Sequence, residues 1–137
     1  MMMKKRIEAG EKLTGRTWRA DTVQLFLYNA AIWNPHRIHY DLPYTQEAEG
    51  HPQLLIDGPL QGDWLTQMVY EWLGENGILT AFSYSNRRAA YVGDVLSTVG
   101  EVTAVDGDTV TLDLRITNQR GEATTVGNAT VVIESGH

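Results

Sequence analysis

The sequence predicts an α+β protein in which an antiparallel sheet curves around one long helix. Three observations carry this reading. Residues 60–73 place Leu60, Trp64, Leu65, Met68, Trp72 and Leu73 at helical spacing. Residues 110–116 alternate Val110, Leu112, Leu114 and Ile116 with Thr111, Asp113 and Arg115, the pattern of a strand with one buried face. Glycine-containing turns separate this strand from its neighbours. The helix carries too many large apolar groups to lie on a surface, and a curved sheet wrapped around it would bury them.

In chain order, residues 1–12 have basic side chains with no apolar run behind them. They read as a loose arm and not as a signal peptide. Asp21 or Thr22 caps a helix over 22–32, with Val23, Phe26, Leu27, Ala30 and Ala31 on one face. Pro35 stops it, since proline removes a backbone donor and restricts the residue before it. Residues 34–56 read as loop with short turns, punctuated by Pro43, Gly50 and Pro52. Asp57-Gly58-Pro59 then opens the apolar helix, with Pro59 at its first position, and Gly74 closes it. Gly62 within it costs about 1 kcal/mol relative to Ala, and is best tolerated where something approaches the backbone. Trp64, Met68 and Trp72 read as core. Strand signals follow at 78–91, 95–105, 109–117 and 123–134. Gly93-Asp94, Asp106-Gly107 and Arg120-Gly121 supply the turns of an antiparallel meander.

The 137 residues make one domain, 1–137, large enough for a core of its own. A net charge of −6 makes nucleic acid a poor partner, because phosphate binding rests on clustered Lys and Arg. There are no cysteines, which excludes disulfides and thiolate chemistry and fits a cytoplasmic protein. No segment approaches the roughly 20 apolar residues of a membrane span, so no membrane association is expected.

The most informative stretch is Tyr28 to Asp41, YNAAIWNPHRIHYD. It gathers Asn34, His36, His39 and Asp41 at a helix exit, where side chains can face a cleft, and it holds two of the four histidines. A histidine in a loop is more often a surface or hydrogen-bonding residue than a catalyst. His36 and His39 are three apart, a spacing zinc accepts on a helix, but Pro35 and the absence of cysteine argue against a metal site. No phosphate-binding glycine loop or Ser-His-Asp signature is present.

Two segments, LFLYNAAIWNPHRIHYD (25–41) and GHPQLLIDGPLQGDWL (50–65), resemble the MaoC-like hotdog dehydratases and hydratases. Within them they are most similar to the branch of itaconyl-CoA and mesaconyl-C4-CoA hydratases. That branch shows an aromatic-Asn-x-His-Arg-Ile-His-Tyr-Asp core, matched by Trp33 to Asp41, and a Gly-Pro-Leu-Gln helix start, matched by Gly58 to Gln61. YVGDVL in the β half is a less specific match. The resemblance implies the hotdog fold, a sheet wrapped around a central helix, and reversible hydration of an enoyl thioester, with coenzyme A present only as part of an acyl-CoA substrate and no further cofactor. Three departures stand out. The wider family carries Asp where Asn34 stands, although the itaconyl-type branch has Asn. The residue before the helix-start glycine is usually His, and here it is Asp57. Enzymes of that branch usually carry two hotdog halves, and this chain matches the half with the motif.

The resemblance implies that His39 is the acid/base, a task suited to a side chain that titrates near neutral pH. Asn34 orients the water, its amide being unable to take a proton. The free N–H of Gly58 and the dipole of the helix behind it stabilise negative charge on the thioester oxygen. His36 is a structural partner or a second catalytic group. Asp41 ties down the loop. Arg37 either meets a CoA phosphate or is salt-bridged, and Arg87-Arg88 is a similar case. Asp57 adjoins the site. A lone hotdog offers half a substrate tunnel, so a homodimer, or a heterodimer with a second hotdog subunit, is expected. The alternatives are a non-catalytic acyl-binding subunit and a hotdog thioesterase using Asp57 or Asp63 to activate water.

Overall fold

The computed structural model describes residues 6–134. Strands β1 (Lys12–Leu13) and β2 (Thr17–Trp18) precede helix α1 (Thr22–Ala31), a short 3-10 turn (Arg37–His39) and helix α2 (Leu42–Glu47). The long helix α3 (Gly58–Leu73) follows, then strands β3 (Gly77–Asn86), β4 (Leu96–Asp106), β5 (Thr109–Thr117) and β6 (Ala123–Ile133).

Side-chain alternation puts Leu96, Val102, Val110, Leu112, Leu114, Ile116, Ala129 and Val131 on one face of an antiparallel sheet, and all are buried. Leu65, Met68, Val69 and Leu73 of α3 are buried with them, each such burial contributing about 1.5–3 kcal/mol. Bulges between Val102 and Ala104 and between Leu79 and Ala81 bend the sheet around the helix. This is the hotdog arrangement. Gly62 has the expected neighbour: an added Cβ would lie 2.8 Å from the Tyr84 ring. Trp64 stacks on Trp18 with ring centroids 5.0 Å apart.

Several expectations need correction. The strands do not form a simple meander, because the sheet order is β1-β4-β5-β6-β3, with β2 also on β4. Only β4, β5 and β6 are sequential neighbours, and β3 crosses to the far side of β6. Strand β3 ends at Asn86, and residues 87–93 run irregularly along the segment before α3, held by Ile56 N–H to Ala90 O and Val92 N–H to Leu54 O. Part of the expected loose arm, residues 1–5, lies outside the described residues. Its other end is not loose: Lys12 pairs with Glu101, and Val102 N–H donates to Glu11 O. The stretch expected to be loop contains α2, whose N-cap Asp41 accepts from Tyr44 N–H at 3.1 Å. Helix α3 begins at Gly58, so Pro59 is its second residue.

The largest surprise is α1. Asp21 caps it as expected, accepting from Gln24 N–H at 2.7 Å. Its apolar face, however, points outward: Val23, Phe26 and Leu27 are each more than 60% exposed, while Leu25 and Asn29 are buried.

Candidate active site

The site is built where α1 ends, α3 begins and the segment before α3 passes between them. Ile32 closes α1, and Trp33 takes a left-handed backbone conformation (φ 59°). That region costs a bulky residue roughly 1–2 kcal/mol, yet the Trp33 side chain is 90% exposed and recovers little of it by packing. Asn34 N–H to Asn29 O, 2.9 Å, holds the reversal. The Asn34 side chain then works in two directions. Its Oδ1 accepts from His36 N–H at 3.1 Å, and its Nδ2 donates to Asp57 Oδ2 at 3.4 Å.

His36 caps the 3-10 turn, with its Nδ1 accepting from Ile38 N–H at 3.4 Å and its ring edge-on to His39, centroids 5.9 Å apart. It is a structural partner of the turn that presents His39. His39 itself is buried. Its Nδ1 lies 2.8 Å from Leu55 O. A carbonyl only accepts, so Nδ1 carries a proton in this bond. Leu55 is fixed in turn by its N–H to Ile38 O at 3.0 Å and by a bridge to Tyr91. The other ring nitrogen, Nε2, faces Asp57 Oδ2 at 3.4 Å.

Asp57 is the N-cap residue of α3 but makes no side-chain cap bond to its own helix. Its carboxylate, 1% exposed, turns instead into the site. Asn29 Nδ2 donates to it at 3.0 Å, Asn34 Nδ2 donates as well, His39 Nε2 lies 3.4 Å away, and no Lys or Arg pairs with it among the described residues. A buried carboxylate without a Lys or Arg is costly. Two amide donors and the positive end of the α3 dipole offset that cost. Gly58 is the first residue of α3, so its N–H has no partner in the helix ladder. A Cβ at residue 58 would collide with the side-chain amide of Asn86, whose Oδ1 accepts from Thr125 Oγ1 at 3.0 Å.

Two clefts flank this cluster. One, of about 370 Å³, is lined by His39, Gly58, Gln61, Asn86, Arg87 and Arg88 among others. The other, of about 320 Å³, has apolar walls, including Phe26, Trp33 and Tyr40, with Asn29 and Asn34 also lining it. His39, Asn34, Asp57 and Gly58 are therefore brought together, and Arg87-Arg88 joins them at the first cleft. Asp41 and Arg37 are not part of this group. They pair with each other at 2.7 Å, the Arg37 guanidinium lying 4.1 Å over the Tyr44 ring. Hydrogen bonding from Arg37, and then from the Tyr44 N–H, holds the Asp41 carboxyl below its ordinary range. Asp63 accepts from Tyr28 OH at 3.0 Å and lines neither cleft. Burial and then that bond push the Tyr28 phenol above its ordinary range, so it remains a donor tying α1 to α3.

Asn29 was missed by sequence reasoning. Its amide nitrogen also donates to Leu25 O at 2.7 Å, while its Oδ1 is buried without a hydrogen-bond partner. The signal was an Asn in a helix interior, a weak helix former that calls for a separate reason to be there.

A family model described as hydroxyacyl-thioester dehydratase type 2 matches residues 2–92. The mesaconyl-C(4)-CoA hydratase of Chloroflexus aurantiacus is 51% identical over 54 residues, which are 39% of this chain and 19% of that protein. This chain thus spans only a small part of the length of that relative. Among solved structures, a chain of the ChsH1-ChsH2 complex from Mycobacterium tuberculosis superposes with a TM-score of 0.86 at 17% identity, covering 94% of this chain and 100% of that one. The (R)-hydratase from A. caviae involved in PHA biosynthesis gives a TM-score of 0.83 at 24% identity, covering 93% and 98%. At those identities the likeness is one of fold.

Proposed function

The chain belongs to the hydroxyacyl-thioester dehydratase type 2 family, and on that premise we propose that it catalyses the reversible hydration of an enoyl thioester to a 3-hydroxyacyl thioester, with coenzyme A as the carrier. The observation that carries this reading is the placement of His39. Its ring is fixed between Leu55 O and the Asp57 carboxylate, and it lines the same cleft as the free N–H of the α3 terminus.

The chemistry follows from that arrangement. In hydration, Nε2 of His39 takes a proton from water as the water oxygen bonds to the β-carbon. The electron pair of the double bond moves toward the thioester oxygen, where the Gly58 N–H and the helix dipole stabilise it. The same proton then passes to the α-carbon, so one water is added in total. The N–H formed on His39 faces Asp57, which supplies the counter-charge for the imidazolium. Asn34 has a second N–H left to hold the water. Arg87 lines the thioester cleft and suits a phosphate of coenzyme A. Arg88 beside it is ion-paired with Glu122 at 3.3 Å, as Arg37 is with Asp41, and neither is assigned that task. The net charge of −6 also disfavours a strongly acidic carrier protein.

The test is to mix the purified chain with a trans-2-enoyl-CoA, following loss of the conjugated double bond and release of free thiol in parallel. Loss of the double bond without thiol is expected. Thiol release would point to a thioesterase, and no reaction at all to a non-catalytic acyl-binding subunit.

A further inference from the structure

We propose that the acyl chain accepted by this site is uncharged at its far end, and that its tail lies in the aromatic cleft between α1 and the 3-10 turn. The inference rests on the hydratase reading and adds the substrate class. Phe26, Trp33, Pro35 and Tyr40 wall this cleft. The two amides that also line it, Asn29 and Asn34, are the same two that hold Asp57. The cleft therefore abuts the catalytic cluster across those two side chains. A thioester at Gly58 with its phosphates toward Arg87 would place the reacting carbons at His39 and direct the chain toward this cleft.

No Lys, Arg or His lines it. The nearest charge behind the two asparagines is the Asp57 carboxylate. A second carboxylate, at the end of an acyl chain, would lose its water here, gain no cation and face a like charge. A hydrocarbon tail would cover apolar surface that is otherwise wet: Phe26 is 62% exposed, Trp33 90% and Tyr40 49%. The unfavourable backbone of Trp33 is consistent with an indole held out to meet a ligand. Asn29 adds a second indication, because its Oδ1 is buried with no hydrogen-bond partner. The β-hydroxyl of a 3-hydroxyacyl product is a donor of the kind it lacks.

Equilibrium binding separates this inference from the reaction itself. Hexanoyl-CoA and adipyl-CoA have equally long chains, and only the second ends in a carboxylate. Titration calorimetry should show hexanoyl-CoA binding at least ~30-fold more tightly. Trp33→Ala and Phe26→Ala should each weaken hexanoyl-CoA binding several-fold while leaving coenzyme A alone unchanged. Equal or tighter binding of adipyl-CoA would overturn the proposal. So would variants that bind hexanoyl-CoA as the parent does. Light scattering on the same variants covers the remaining occupant: loss of self-association with acyl binding intact would make this cleft a subunit contact. Because these ligands are saturated, a chain that hydrates nothing but prefers hexanoyl-CoA would sink the reaction and leave the cleft. A working hydratase with no preference would sink the cleft alone.

Discussion

Residue 58 shows how tightly the site is drawn. The Gly58 Cα faces the Asn86 amide, and both line the cleft with His39. The Asn86 contact alone already calls for glycine there, apart from the proposed thioester. Gly58→Ala should therefore lower turnover by at least ~10-fold while the melting temperature moves by a few degrees. Adding Asn86→Ala removes the collision but leaves the methyl group beside the oxyanion position. If the double variant regains parental turnover, the Gly58 effect is only the clash with Asn86, and the oxyanion assignment fails. At this scale the sequence was informative where the site is local. Asn34, His36 and His39 lie within six residues, and Asp57 adjoins Gly58. It was uninformative where a role depends on packing between helices. The Asn29 amide reaches Asp57 only because α1 lies against the start of α3.

Among the elements, α3 and the strands β4, β5 and β6 were legible because burial on one face imposes a period on the sequence. Helix α2 was not, since six residues containing Pro43 are too short to show a period. The outward direction of the α1 face was not legible for a related reason: an apolar stripe tells which residues share a face, not whether protein or solvent covers it. Helix α2 also offers a test of its cap. Asp41 accepts from Tyr44 N–H and pairs with Arg37, and its carboxyl is held below the ordinary range. A carboxyl depressed in the folded state stabilises the fold above its unfolded value, and that stabilisation is lost as pH falls through the folded value. The melting temperature of Asp41→Asn should thus lie below that of the parent at pH 7, with the gap closing below about pH 4. A gap that persists unchanged at acid pH would show that the carboxylate charge plays no part in the cap.

For the whole molecule, the sheet order could not be read from the chain. The pairing of β3 with β6 spans the length of β4 and β5, and no local turn specifies it. That order leaves β3 with one unpaired edge among the described strands, a ten-residue row of backbone donors and acceptors that proteins seldom leave bare. Ile78 and Tyr84 on this strand are 53% and 38% exposed. Light scattering should accordingly give about twice the 15.3 kDa chain mass. A monomer at micromolar concentration would contradict a homodimer and direct the search to a separate hotdog subunit.

The central claim is that His39 moves the proton in a site already built to hold it. The direct measurement is the turnover of His39→Ala on an enoyl-CoA that the parent hydrates, with the melting temperature recorded on the same sample. Turnover should fall by ~10² or more, with melting shifted by only a few degrees, as for loss of a general acid/base. Near-parental turnover in a folded His39→Ala protein would contradict the account.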